Sequence, residues 1–349
     1  IITGLVGSEM CIRDRYNSIA IGADGMPVMS YYDATNDDLK VLKCTSADCS
    51  TAETPQTLDS TGDVGLYTSI AIGVDGMPVV SYYDETNDDL KVVQCTSPDC
   101  STNAGTQTLD STGAVGLYTS IAIGTNGMPV ISYLGGSSDL LVVQCTSVDC
   151  STDAGPQTLD STGSVGHYTS IAIGSDGMPV VSYWDSTNND LKVVQCTSAD
   201  CSTSATPQTV DSTGNVGLTT SIAIGSDGMP IVSYYDTSNF NLKVVQCTSM
   251  DCSTNAGAQT VDNFGSVGGN SSIAIGIDGL PVVSYRDSSS NAMKVTKCGN
   301  AACSSGNTIT TVDSGDIGGF TSIAIGTDGL PVVSYWDITS DDLKVAKCA

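Results

Sequence analysis

The stretch "SIAIGSDGMPVVSYWD", residues 170–185, decides the fold. Ile171 and Ile173 alternate with the small Ser170, Ala172 and Gly174, the period-two pattern of a strand with one bulky and one small face. Asp176-Gly177 follows as a tight hairpin signal, because glycine tolerates positive φ. "VVSYWD" is β-branched and aromatic and reads as a second strand. "STNND" turns the chain into "LKVVQC", a third strand, and "CTSADC" turns it again into a more polar fourth, "TPQTVDS".

The phrase returns with "SIAIG" starting at Ser18, Ser69, Ser120, Ser170, Ser221, Ser272 and Ser322, at steps of 50 or 51 residues. Seven copies of a four-stranded antiparallel unit at this period predict an all-β fold, a seven-bladed β-propeller. The isoleucine face of each inner strand is expected to pack on the small face of its neighbour. The first three strands occur seven times and the fourth only six, so the pattern predicts incomplete ring closure and a chain truncated at both ends.

One stretch breaks the repeat. "VGSEMCIRDR", Val6–Arg15, holds two of the three arginines and closely resembles the translation of a transposase-type sequencing adapter. Tyr16-Asn17-Ser18 then falls into register with Tyr67-Thr68-Ser69. Residues 1–15 are therefore read as a non-native segment and set aside, leaving 16–349 as a single propeller domain.

The formal net charge of −26 argues against a nucleic-acid partner, because phosphate binding needs clustered Lys and Arg. No apolar run reaches the roughly 18 residues of a membrane-spanning helix, so membrane insertion is not expected.

The repeats resemble those of secreted bacterial propellers carrying "SIAIGxDGxPVVSYYD", loose relatives of the Asp-box and sialidase-like superfamily. The resemblance spans Tyr16 to Ala349 and implies fold more than activity. An Asp-box has one residue between its Asp and Gly, whereas Asp176 and Gly177 are adjacent. Its closing Trp is absent too, Tyr183 being the nearest aromatic in the next strand. Sialidase-like catalysis would imply an arginine cluster gripping a carboxylate, and Arg286 stands alone outside the adapter-like segment.

Twelve of the fourteen cysteines form six pairs, Cys44/Cys49, Cys95/Cys100, Cys145/Cys150, Cys196/Cys201, Cys247/Cys252 and Cys298/Cys303. Each pair flanks a short turn, so its members are expected to face each other across adjacent strands. Opposed antiparallel residues lie roughly 4.5 to 5.5 Å apart at Cα, inside the disulfide range. A zinc site would need four ligands, and one hairpin offers two thiolates and no histidine. A thioredoxin-like motif has two intervening residues rather than four. Disulfide staples are the expectation, with reduced thiols the alternative, and they imply an oxidising compartment: a secreted or cell-surface protein. Cys11 lies in the adapter-like segment, and Cys348 matches the first cysteine of a pair.

In a propeller, the loops between second and third strands share one end with the blade-to-blade links. That end is expected to bear ligand. It gathers Asp33, Asp84, Asp185, Asp236, Asp287 and Asp337 with Tyr67, Tyr118, Tyr168, Trp184, Trp336 and Phe320. Asp33, Asp37, Asp38, Asp84, Asp88 and Asp89 offer hard oxygens that would suit calcium, although Asp and Asn are also ordinary turn formers. No other cofactor is expected.

No catalytic residue stands out. His167, the only histidine, replaces the leucines at 66, 117 and 218, and nearly every repeat supplies the same acids. Leu134 and Gly135 break the third repeat and Arg286 the sixth, and all three read as drift. The expected function is a non-catalytic extracellular binding module whose partner is a glycan or protein surface. Repeated weak sites would suit multivalent carbohydrate recognition. A glycosidase- or lyase-like enzyme and a structural repeat of a larger surface protein are the alternatives.

Overall fold

The computed structural model describes the backbone of residues 2–5 and 14–348, and side chains from residue 16 to 348. All regular elements among the described residues are strands, and they form seven four-stranded antiparallel sheets. The fourth blade is representative. Its inner strand His167–Ile173 pairs with Pro179–Asp185, then Asp190–Gln195, then the outer strand Gln208–Asp211. The first turn closes with Gly174 N–H on the Met178 carbonyl at 2.8 Å, and Gly177 takes φ +84° there. Asp176 Oδ1 accepts from the Met178 amide at 3.0 Å, while its Oδ2 accepts from Gln195 Nε2 at 2.6 Å.

The core lies between blades. Leu39, Val41 and Leu58 of the first blade meet Ile70, Val80, Tyr82 and Val93 of the second, with Ala20 packed against them. The bulky-on-small packing expected from "SIAIG" is thus present. The same cluster recurs around the ring to the seventh interface, where Ile19, Met29 and Leu42 meet Val332, Leu343 and Val345. Both faces of each sheet are buried in this way, which an isolated meander could not achieve.

Two polar ladders tie the inner rims. The serine opening each "SIAIG" accepts an amide from the next blade, as in Ile70 N–H to Ser18 Oγ at 3.2 Å, and Ile19 N–H to Ser322 Oγ at 3.2 Å closes the circle. One residue earlier, Thr119 Oγ1 donates to Ser81 Oγ at 2.8 Å. Across the closing seam the same place is taken by Asn17, whose Oδ1 accepts from Ser334 at 2.5 Å.

The expected gap in the ring is corrected here. Ile2–Leu5 pairs antiparallel with Asp342–Lys347, from Ile2↔Lys347 to Leu5↔Lys344, and supplies the seventh blade's outer strand. A bare strand edge leaves a row of unpaired N–H and C=O groups, and any extended segment within reach can satisfy them. The boundary drawn after Arg15 is also crossed by regular structure, since the first inner strand runs Asp14–Ile21. Cys11 lies outside the described residues.

All six disulfides are present, with Cα separations of 4.9 to 5.0 Å. The expectation that the two members of each pair face each other across adjacent strands is corrected. Cys44, Cys145, Cys196 and Cys247 face Ala52, Asp153, Ser204 and Asn255, not Cys49, Cys150, Cys201 and Cys252. Cys95 faces Asn103 rather than Cys100. In the sixth blade Lys297, next to Cys298, faces Thr308, well beyond Cys303.

The second cysteines instead end tight turns. Cys49, Cys100, Cys150, Cys201, Cys252 and Cys303 all take φ between +53° and +57°. Each donates its N–H to the carbonyl three residues back, Ser46, Ser97, Ser147, Ser198, Ser249 and Asn300, at 3.0 to 3.1 Å. That left-handed step reverses the chain early, so the second sulfur reaches the first from inside a wider loop. Both sulfurs of every bridge are buried, and each bridge joins the apolar cluster between neighbouring blades, as Cys95 and Cys100 do beside Tyr82.

Candidate binding site at the axial mouth

The six aspartates expected to bear ligand are 0–6% exposed and turned into the protein. Asp185 Oδ1 accepts the Thr187 and Asn188 amides at 3.0 Å, and its Oδ2 accepts Asn188 Nδ2 at 2.9 Å. Asp33, Asp84, Asp236, Asp287 and Asp337 cap their own loops in the same manner. Lys40, Lys91, Lys294 and Lys344 also reach four of these carboxylates, at 2.5 to 2.8 Å. Asp37 and Asp88 accept the hydroxyls of Tyr32 and Tyr83. Burial, reinforced by neighbouring carboxylates, pushes Asp38 and Asp89 up. No group of three or more His, Cys, Asp or Glu among the described residues is arranged to hold a metal.

The third repeat departs at two positions that lie side by side. Where five other blades pair a lysine with the aspartate of their second strand, this blade has Leu141 and Gly135. Loss of one partner alone would strand a charge in a poorly solvated place. Both are replaced.

The tyrosines behave differently. Between Leu66↔Tyr83 and Ser69↔Ser81, the inner strand carries two residues opposite one, a β-bulge. The bulge puts Tyr67 at φ +52°. The same column, two residues before each "SIAIG" serine, holds Tyr16, Tyr118, Tyr168, Thr219, Asn270 and Phe320, all at φ between +47° and +56°. Just before the bulge, Gly65 at φ +106° lets the chain pass Leu39, whose Cα would lie 2.8 Å from an added Cβ.

These seven side chains converge at one mouth of the axis, around a cavity of about 180 Å³. Five of them form a continuous aromatic arc. Tyr16 lies 4.4 Å from both Phe320 and Tyr67, Tyr67 lies 4.7 Å from Tyr118, and Tyr118 lies 4.5 Å from Tyr168, between ring centroids. Thr219 and Asn270 fill the remaining places and are linked by Asn270 N–H to Thr219 Oγ1 at 3.1 Å. The mouth thus has an aromatic side and a polar side, and the sevenfold symmetry ends there.

Burial and the neighbouring phenols hold Tyr67 well above its ordinary value and push Tyr168 up to about 12. These hydroxyls therefore stay protonated at physiological pH and serve as both donors and acceptors. Trp184 stands 6.2 Å from Tyr168, and Trp336 stands 6.2 Å from Phe320, one at each end of the arc. The Trp184 indole N–H is buried without a hydrogen-bond partner. His167 packs edge-on to Trp184 at 5.7 Å, with Nε2 3.1 Å from Ser164 Oγ, and burial lowers its pKa. Arg286 holds the second-strand position that Trp184 and Trp336 occupy in their blades, opposite Gly269 and so next to Asn270, and is engaged by Asp316 at 2.7 Å.

Tyr67, Tyr118 and Tyr168 are thus brought together, with Trp184 and Trp336 beside them, while the aspartates are not. Sequence reasoning missed Tyr16, Thr219 and Asn270. Reading the repeat column by column would have found them.

Comparison with known proteins places the chain by fold. No protein-family model and no curated protein sequence matches it. Among solved structures it is similar to a polysaccharide lyase, the PL25 ulvan lyase bound to -[GlcA(1-4)Rha3S]-. That match has 14% identity and a TM-score of 0.63, over 98% of this chain and 93% of that one. It is similar to a protein of unknown function from Dyadobacter fermentans at 12% identity and a TM-score of 0.62, over 100% and 98% of the two chains. The NanB sialidase of Streptococcus pneumoniae matches at 10% identity and a TM-score of 0.53, over 99% of this chain and 70% of that one. Identities this low establish the seven-bladed propeller and nothing about activity.

Proposed function

We propose that the chain is a secreted saccharide-binding propeller whose ligand sits on the axial aromatic arc. The carrying observation is the arc itself, five aromatic rings held side by side at positive φ around one mouth. A bulky residue in the left-handed region costs about 1 kcal/mol or more. Asn is better suited to that conformation, and Asn270 shows that the fold accepts it. Aromatic faces stack on the apolar faces of sugar rings, while phenol, threonine and asparagine groups offer hydrogen bonds to hydroxyls. Six disulfides suit an oxidising, extracellular setting. The six loop aspartates are already committed within their turns, which favours one axial site over six peripheral ones.

The two tryptophans flank the arc, so intrinsic fluorescence reports on it directly. Saccharide titration is expected to shift Trp emission in the wild type and to lose that response in Tyr118→Asn, a side chain the sixth blade already carries there. An unchanged emission across a broad saccharide panel contradicts the proposal.

A catalytic reading is favoured by one observation. His167, the only histidine, lies 5.8 Å from Tyr118 and beside Trp184, where the symmetry breaks. A neutral imidazole next to phenols can serve as an acid–base set for breaking a glycan. Chain-length analysis of saccharides incubated with the protein decides the matter, with His167→Leu as the control. Cleavage by the wild type alone establishes an enzyme.

A further inference from the structure

Ten basic side chains are described from residue 16 onward, nine lysines and Arg286. Each is paired with an aspartate. Every described cation is thus engaged by a carboxylate, Arg286 alone keeping a buried Nε–H without a partner, against a formal net charge of −26. The surplus is negative on the ligand-bearing end. Burial first, with neighbouring carboxylates adding to it, pushes up Asp38, Glu85, Asp89 and Asp190. Asp63 keeps one buried carboxylate oxygen without a partner. Aromatic faces add to this, because the ring quadrupole attracts cations.

One structural neighbour, the ulvan lyase, is bound to an anionic glycan, -[GlcA(1-4)Rha3S]-. A site with every cation already engaged would have to desolvate such a ligand without a counter-charge, which is strongly unfavourable. We propose that the axial site takes a cationic saccharide, an oligomer of amino sugars with free amino groups, and rejects uronate, sulfated and sialylated glycans. The field of the acidic surface concentrates such a ligand at the mouth, the aromatic arc receives its amino-bearing rings, and Thr219 and Asn270 bond its hydroxyls. This rests on the saccharide reading above.

The test is calorimetric titration with three oligomers of matched length, glucosamine, N-acetylglucosamine and glucuronate-containing, at mildly acidic pH where the free amines are protonated. The glucosamine oligomer is expected to bind about tenfold tighter than the acetylated one, with no binding of the acidic one. That advantage should shrink in 1 M salt, where the Debye length falls to about 3 Å. Asp63→Asn, with the residue the fifth blade carries as Asn215, should narrow the same ratio while leaving binding of the acetylated oligomer unchanged. Equal affinity for the acetylated oligomer, or binding of the glucuronate oligomer, overturns the charge preference and leaves the saccharide reading standing. Failure of all three to bind removes both.

Discussion

Tyr183 of the fourth blade donates its hydroxyl to Asp160 Oδ2 of the third blade at 2.7 Å, and Lys192 approaches the same oxygen at 2.6 Å. The relation repeats in Tyr82–Asp59, Tyr133–Asp110, Tyr234–Asp211, Tyr285–Asp262 and Tyr335–Asp313, at 2.7 to 2.8 Å. Six of the seven blades, the second to the seventh, are latched to their predecessor in this way by a buried tyrosine on an aspartate at the end of the outer strand. The "SY" pair of the repeat is thus divided between two neighbours: Ser182 bonds Thr220 of the following blade, and Tyr183 bonds Asp160 of the preceding one.

Removing one latch hydroxyl should be measurable. Tyr183→Phe keeps the ring's packing and is expected to cost about 1.5 to 3 kcal/mol, the range for a hydrogen bond to a charged group. Asp160→Ala should cost more, since it strands both the phenol and Lys192. Urea unfolding of the two variants checks the order, and a smaller loss for Asp160→Ala would refute the latch.

The third blade offers a double-mutant cycle. An added Cβ at Gly135 would lie 2.3 Å from Leu141 Cδ1. Gly135→Asp alone and Leu141→Lys alone are each expected to destabilise. The double variant restores the ion pair of the sister blades and should recover at least about 1 kcal/mol of the summed loss. Simple additivity in thermal or urea unfolding would show that the two positions are independent.

The latch also sets the pH range of stability. Burial alone would raise Asp160, but Lys192, Tyr183 and the Thr162 amide outweigh it and lower its pKa, and Asp211 behaves alike. A carboxyl depressed in the folded state stabilises above its unfolded value of 3.8, and that contribution is lost as pH falls through the folded value. Burial and Asp160 raise Tyr183 well above 10.0. A phenol raised in this way stabilises fully below 10.0, and the contribution is lost as pH rises toward the folded value. Melting temperature should therefore be level across neutral pH, fall below about pH 4, and fall again above about pH 10. A decline that begins as pH falls below 6.5 would implicate His167 instead, whose pKa burial lowers.

Each disulfide closes a short loop, and about 2 kcal/mol per bridge is the chain-entropy contribution. The paired change Cys196→Ala and Cys201→Ala also removes buried sulfur from the interface between the third and fourth blades. A loss of about 2 to 4 kcal/mol with an unchanged far-UV spectrum is expected. No loss would make the staples dispensable.

Much of the architecture was legible because it is periodic. "SIAIG" fixed the blade number, the bulky-on-small packing and the inner strand. The closing strand was not legible: Ile2–Leu5 matches no repeat, and its place follows from backbone pairing, which any extended segment can provide. The cysteine spacing revealed the bridges but not their fold-back geometry, since residues at positive φ such as Cys49, Cys150, Cys252 and Cys303 leave no composition signal. Asp33 and its equivalents looked like ligands because turn caps and ligand sites use the same side chains. Of the arc, Tyr67, Tyr118, Tyr168 and Phe320 were visible and Tyr16 was not. The arc's convergence depends on a bulge repeated around a closed ring, a relation among blades that no single repeat contains.

The most direct measurement is the stoichiometry of saccharide binding. Calorimetric titration with a short glucosamine oligomer should give one site per chain in the wild type and none in Tyr118→Asn. Several equivalent sites per chain, unaffected by that substitution, would contradict an axial site and return the ligand to the peripheral loops.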